Sequence, residues 1–244
     1  MGHDNTGMTA PSRTGILGGR FDPIHLGHLE IAAVAQRVLA LDRVLLVPSR
    51  VSPHRGAPAR ASDRDRLALV TLAASSNAHL SPCQLELASD APSYTAVTLE
   101  RLRDQGHART QLFFVIGADA FAEITTWHDY PAVLDGAHFV VVSRPGHPLA
   151  DLIEALPDLR ARMRPLSHGA ERLSLDANTA PAVFLIDAVT PDISSTDIRA
   201  RVARREPLIG LVPDNVAAYI KLHRLYIPKC CDTSHLPDTG AELA

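Results

Sequence analysis

Cysteine is scarce in this chain: Cys83, Cys230 and Cys231 are the only three, two of them adjacent, and no Cys-x-x-Cys occurs. That set suits neither a disulfide framework nor a zinc site, and it points to a reducing, cytoplasmic setting. Long apolar runs are also lacking. None approaches the roughly 18–20 residues needed to cross a bilayer, so no membrane span is expected. The stretch from Met1 to Thr14 is polar and lacks the basic-then-apolar order of a secretion signal. Positive charge is not in excess. The net charge of −3 argues against a bulk nucleic-acid binder or a polybasic membrane anchor. Tryptophan occurs once, at position 127. What is present is ordinary: 46% hydrophobic and 21% charged residues, enough for a sizeable core in one large α/β domain. Most of the twelve histidines lie singly in polar stretches and read as surface residues.

Short apolar runs alternate with helix-period segments. The runs are Ile16-Leu17, Arg43 to Pro48, Leu80 to Leu87, Leu112 to Ile116, Phe139 to Val142 and Val183 to Ile186. Between them, helices are expected over Leu29 to Leu41, from a Ser62 cap to about Ser76, Ser93 to Arg103 and Ala120 to Ile124. Residues 147–181 are harder to read. They carry an expected helix, Leu149 to Met163, then a polar stretch, taken together as an excursion at the sheet edge. Helices over Thr196 to Arg205 and Pro213 to Leu222 close the chain. This alternation predicts an α/β, Rossmann-like, doubly wound parallel sheet with a small C-terminal helical part. The expected domain is 14–228, with flexible tails at 1–13 and 229–244. In such sheets ligands bind beyond the carboxyl ends of the strands, so the loops after strands are where to look.

Two of those loops carry chemistry. The first runs Gly18-Gly19-Arg20-Phe21-Asp22-Pro23-Ile24-His25-Leu26-Gly27-His28. Glycines allow close backbone approach to a ligand, and a helix start offers N–H groups and a positive dipole end. His25 and His28, three apart, can point to one side and donate to phosphate oxygens. The second is Ile193-Ser194-Ser195-Thr196-Asp197-Ile198-Arg199. Its hydroxyls are ordinary helix caps. The guanidinium one turn further in makes the stretch suit phosphate.

Together these stretches resemble the His-x-Gly-His nucleotidyltransferase superfamily and, more narrowly, the bacterial nicotinate-nucleotide adenylyltransferases. The likeness spans roughly residues 15–228. Intermediate pieces agree: Pro53-His54-Arg55, Arg66-Leu67, Ser93-Tyr94-Thr95, Ile116-Gly117-Ala118-Asp119, Trp127 and Ser143-Arg144-Pro145-Gly146. The resemblance implies a reaction of ATP with nicotinate mononucleotide that yields deamido-NAD and pyrophosphate, with Mg2+ held mainly by the substrate phosphates. No protein nucleophile is needed, since the mononucleotide phosphate, with a second pKa near ~6, is itself the attacking group. His25, His28 and Arg199 are then the catalytic candidates. Gly18, Gly19, Arg20, Phe21, Gly117, Asp119, Ser195 and Thr196 join them on ATP, and Arg55, Thr95 and Trp127 face the mononucleotide.

Several residues keep two readings. Asp119 either accepts from ribose hydroxyls or caps a helix. Trp127 either stacks on the pyridine ring or packs in the core. Arg20 either contacts phosphate or faces water. Asp22 is a metal candidate or, more simply, a turn residue. Competing functions are transfer to nicotinamide mononucleotide or phosphopantetheine, and ATP sensing without turnover. The oligomeric state is left open, a homo-oligomer included.

Overall fold

Within each strand, successive apolar side chains fall on opposite sides of one sheet. Leu17, Leu46, Phe113, Val115, Val140, Val142, Phe184 and Ile186 pack into one core layer. Ile16, Leu45, Val47, Phe114, Ile116, Phe139, Val141 and Leu185 pack into the other. A strand that is apolar on both faces needs cover on both, which is why its runs are continuous. The fold comes from a computed structural model that describes residues 12–51, 58–166 and 179–228.

The strands are β1 (Thr14–Gly19), β2 (Arg43–Pro48), β3 (Leu80–Pro82), β4 (Leu112–Gly117), β5 (His138–Val142), β6 (Met163–Leu166) and β7 (Val183–Ile186). They form one sheet in the order β3-β2-β1-β4-β5-β7-β6, every pairing parallel. The helices are α1 (Leu26–Leu39), α2 (Asp63–Ala74), α3 (Thr95–Asp104), α4 (Ala118–Phe121), α5 (Leu149–Ala155), α6 (Ser195–Ala203) and α7 (Asp214–Leu222). Residues of α1, α2, α6 and α7 cover the first layer, those of α3, α4 and α5 the second. This is the doubly wound arrangement that the alternation predicts. Strand order turns between β1 and β4, so the crevice at their carboxyl ends is the switch point.

Two of the expected elements change. The strand expected over Leu80 to Leu87 stops at Pro82, because the chain then turns, with Ala88 N–H donating to the Gln84 carbonyl at 2.9 Å. The helix expected to reach Met163 ends at Ala155. Pro157 cannot donate back along a helix, and the segment tightens to a 3-10 turn over Pro157–Arg162. Met163–Leu166 then forms the sheet's edge strand, where Pro165 is tolerated. On α2 the buried row is Arg66, Leu69, Val70, Ala73 and Ala74, with Leu67 and Leu72 only half-buried. The expected tails, the adjacent Cys230 and Cys231, and residues 167–178 lie outside the described residues, apart from Ser12 and Arg13 of the first tail. Among the described residues no helix is long and apolar enough to cross a membrane.

Candidate active site

The loop after β1 leads directly into α1. His25 is the residue before the helix and His28 lies in its first turn, so their rings share one side and stack at 3.7 Å. The approach depends on Gly27, where an added methyl would meet the His25 ring at 3.1 Å. His25 backbone N–H donates to His28 Nδ1 at 3.3 Å. A neutral His28 therefore carries its proton on Nε2, as a donor. His25 is only 3% exposed, and its Nδ1 has no hydrogen-bond partner among the described residues. Burial, helped by the Arg144 charge, depresses its pKa to about 3, so the ring is neutral at physiological pH. The first N–H of the helix is not available to a ligand, since Leu26 donates it to the Leu211 carbonyl at 2.9 Å.

The distant stretch meets this loop. Ser194 caps α6 by accepting from Asp197 N–H at 3.1 Å, so the helix begins one residue before the Thr196 that the sequence suggests. Ser195, at the helix start, donates its hydroxyl to the Pro23 carbonyl at 2.9 Å. Arg199 donates to the Asp22 carbonyl at 2.7 Å and to Thr196 Oγ1 at 3.0 Å, and its Nε is buried with no hydrogen-bond partner among the described residues. Hydroxyls, a guanidinium and two imidazoles thus gather at the carboxyl end of β1, from segments about 170 residues apart. The Ser195 hydroxyl proton is already committed, which leaves its oxygen as an acceptor and the exposed Thr196 hydroxyl as the uncommitted donor of the pair.

Asp22 is nearly fully buried, at 1% exposure. Its carboxylate accepts from Arg60 N–H at 2.8 Å and Ala61 N–H at 3.1 Å, with Arg199 at 4.0 Å. The carboxylate thus clasps the loop after β1 to the backbone at Arg60 and Ala61, a long-range contact rather than a local turn. Phe21 is buried too, and its ring meets His28 edge-on at 5.0 Å; only its backbone can face a ligand. Arg20 is half-buried, with its carbonyl turned inward to Arg66.

Gly117 ends β4 beside Gly18 and Gly19 at the end of β1. A methyl on Gly117 would lie 2.5 Å from Asp119 Oδ1 and 2.9 Å from Arg144 Cδ. Asp119 does not cap α4: the position before that helix is Gly117 itself, and Asp119 pairs with Arg144 at 3.6 Å. Arg144 also donates to the Ile193 carbonyl at 3.4 Å, tying β5 to the start of α6. Behind it, Ser143, Pro145, Asp187, Val189 and Thr190 line a cavity of about 300 Å³.

A second cluster lies further along the crevice. Thr95 begins α3, whose preceding residue, Tyr94, gives no side-chain cap. Tyr94 stacks on His128 at 4.2 Å, which draws the start of α3 to the Trp127 segment. Trp127 is half-buried and edge-on to Phe114 at 6.1 Å, so part of its ring packs against the core. The Phe114 ring in turn lies under Gly18, 3.7 Å from where a methyl would be. Glu86 braces α3 from behind, accepting from Thr98 Oγ1 at 2.6 Å; burial raises its pKa against those hydrogen bonds. His54 and Arg55 lie outside the described residues.

In the sequence Arg66 and Arg144 stand among the pieces of the resemblance without a role of their own, and the clasping role of the Asp22 carboxylate is not anticipated. A signal existed for two of them. Arg144 lies in a strand-end loop, Ser143 to Gly146. Arg66 sits at helical spacing from Leu69, Val70 and Ala73, so a charge falls on an apolar row. For Asp22 no local signal exists, since its donors lie 38 and 39 residues away.

Residues 16–201 match the cytidylyltransferase-like family. The probable nicotinate-nucleotide adenylyltransferase of Roseiflexus castenholzii is 39% identical over 88% of this chain and 98% of its own length. That of a second Roseiflexus species is 41% identical over 87% and 96%. Among solved structures, Plasmodium falciparum nicotinic acid mononucleotide adenylyltransferase complexed with NaAD superposes with a TM-score of 0.64 at 15% identity, covering 88% of this chain and 97% of that one. The last is a likeness of fold.

Proposed function

The chain belongs to the cytidylyltransferase-like family and, within it, to the nicotinate-nucleotide adenylyltransferases, and we propose that it joins ATP to nicotinate mononucleotide, releasing pyrophosphate and deamido-NAD. One observation carries the site reading. The start of α6 is fastened to the loop before α1 through Ser195–Pro23 and Arg199–Asp22, so two helix starts meet at the switch point.

The mononucleotide phosphate, largely dianionic near neutrality, attacks the α-phosphorus of ATP. A P–O bond forms there as the bond to the β-phosphate bridge breaks, and pyrophosphate leaves. The protein supplies alignment and donors, with no covalent step. His28 Nε2–H donates to the phosphate that becomes more charged as the bridge breaks, and neutral His25 backs its ring. Arg199 and Thr196 hold the departing β- and γ-phosphates. Gly18 and Gly19 let the nucleotide approach β1. Asp119 accepts from the ribose hydroxyls, and the cavity behind Arg144 takes the adenine end. Asp119 and Arg144 pair with each other at 3.6 Å, so a ribose at Asp119 would also lie within reach of Arg144.

On the acceptor side, Trp127 stacks on the pyridine ring and Arg55 approaches the mononucleotide phosphate. The uncapped start of α3 at Thr95 offers backbone N–H donors. Donors suit the nicotinate carboxylate, whereas a carboxamide would need an acceptor for its NH2. A resident metal does not fit the described side chains. Among them no three His, Cys, Asp or Glu are grouped to hold one, and Asp22 and Asp119 are already engaged. Magnesium belongs with the nucleotide's own phosphates, and no step here runs through it.

The test is pyrophosphate release from ATP with nicotinate mononucleotide, nicotinamide mononucleotide and phosphopantetheine in turn. Release with the nicotinate acceptor is expected. Release with none refutes the enzyme reading, and release with nicotinamide mononucleotide alone refutes the acid preference.

A further inference from the structure

Arg66 is a fully buried arginine at 0% exposure, on the sheet side of α2. It touches no crevice. Its NH1 donates to the Arg20 carbonyl at 2.7 Å and the Ser49 carbonyl at 2.6 Å, and its NH2 to Asp63 Oδ1 at 2.7 Å. Its only ion pair within 4 Å among the described residues is with that Asp63, which is 46% exposed, and its Nε has no hydrogen-bond partner among them. A buried charge so incompletely neutralised is a weak source of stability; apolar replacements of such pairs are often neutral or stabilising. The two carbonyls it takes say more. One belongs to the loop after β1, the other to the loop after β2, and the loops are already joined by Ser49 N–H donating to the Gly19 carbonyl at 2.8 Å.

In a trans peptide the C=O and the next N–H point opposite ways. Turning the Arg20 carbonyl inward therefore turns the Phe21 N–H outward, beside His28. Phe21 holds φ of +47°, a left-handed conformation that a non-glycine residue keeps only where its surroundings enforce it. Its buried ring and the Arg66 bond on the preceding carbonyl provide that enforcement. Ser195 repeats the device at the Pro23 carbonyl, which leaves Ile24 N–H outward, while Arg199 holds the Asp22 carbonyl, whose next residue, Pro23, has no N–H to aim. A run of carbonyls is fastened on the protein side, and the amides are aimed away from it.

We propose that Arg66 is a positioning residue for the phosphate cradle: it fastens the loops after β1 and β2 from behind and aims the Phe21 N–H at the nucleotide's phosphates. The inference rests on the adenylyltransferase reading but is separable from it. A planar fork spans two carbonyls and a carboxylate, which a single ammonium does not.

The experiment compares wild type, Arg66→Lys and Arg66→Met in three readouts: kcat, ATP affinity and adenosine affinity, the last two by calorimetry. A misplacement on the scale of 1 Å costs about 10²-fold. Arg66→Met is expected to lose about 10²-fold in kcat and to bind ATP about tenfold more weakly, with adenosine binding unchanged. Arg66→Lys falls between, about tenfold down in kcat. If Arg66→Met does not fold, Arg66→Lys decides. Full kcat and ATP affinity in Arg66→Lys, or equal losses for ATP and adenosine in either variant, would overturn the proposal. Wild-type inactivity with every acceptor would count against the enzyme reading alone, because the comparison of ATP with adenosine binding still reads Arg66.

Discussion

Gly117→Ala separates the nucleotide site from the fold better than any change to a charged residue. The backbone at Gly117 is extended, φ −74° and ψ 152°, open to any residue. Alanine there carries no strain, and by restricting the unfolded chain it adds about 0.4–1 kcal/mol of stability where the space permits. The space is the difficulty. The new methyl would sit 2.5 Å from Asp119 Oδ1, and an ordinary contact begins near 3.4 Å, so the carboxylate must retreat by about 0.9 Å. Arg144 Cδ, at 2.9 Å, must yield as well. Both groups are the far ends of flexible side chains, so the cost falls on their positions and not on the core. Asp119 thereby loses its reach to the ribose. A hydrogen bond to a charged group is worth about 1.5–3 kcal/mol, so KM for ATP should rise roughly 10- to 100-fold. KM for the mononucleotide should change less than about 3-fold, and Tm by only a few degrees, about the scale of 1 kcal/mol in a chain this long. Steady-state pyrophosphate release against each substrate, with a thermal melt, reads all three. An unchanged KM for ATP would refute the placement of Asp119 at the ribose. A fall in Tm of tens of degrees would show that the backbone takes up the clash instead.

His28→Ala should lower kcat by about 10²-fold or more, the scale of a lost transition-state donor; a raised KM with kcat intact would mean that His28 serves ground-state binding only. Trp127→Ala should weaken the mononucleotide while sparing ATP, and equal losses for both would assign Trp127 to the core alone. Acid should destabilise the fold below pH 6.5. His25, at about 3, and His138, whose pKa burial and the Arg13 charge depress to about 4, both stay neutral in the folded chain where the unfolded chain takes up protons near 6.5. Stability that is full above pH 6.5 is therefore lost as pH falls, by up to about 1.4 kcal/mol per unit for each histidine. Glu86, whose pKa burial raises, opposes them as a single group. Urea unfolding at pH 7, 6 and 5 should show the decline, shallower in His138→Gln, and a flat profile would contradict the burial argument.

Much of this architecture is legible in the residues alone, for a reason particular to buried parallel sheets. Runs such as Leu112 to Ile116 must satisfy two apolar faces at once, so they stand out. Met163–Leu166 does not, because an edge strand is covered less and tolerates Arg164 and Pro165. The loop from Gly18 to His28 announces itself by local spacing, and so does the cap at Ser194. That the two meet is not local information. It depends on bonds such as Arg199 to the Asp22 carbonyl, formed only when the sheet has wound. The sequence marks Arg144 and Arg66 by position but not by role, because part of what each holds is a backbone carbonyl of another segment, and a carbonyl leaves no mark in a sequence.

One consequence of the layered core concerns the width of the crevice. α1 and α6, whose first residues form its two jaws, rest on the same apolar layer, through Ile31, Ala35 and Leu39 on one side and Ile198 on the other. The gap across which, in the proposed reaction, a phosphorus atom would change partners is thus gauged by aliphatic volume several residues below it. A methylene removed at Ile198 would act on that gap as the adjusting screw acts on a caliper, altering the reaction's geometry without touching any group that meets the nucleotide.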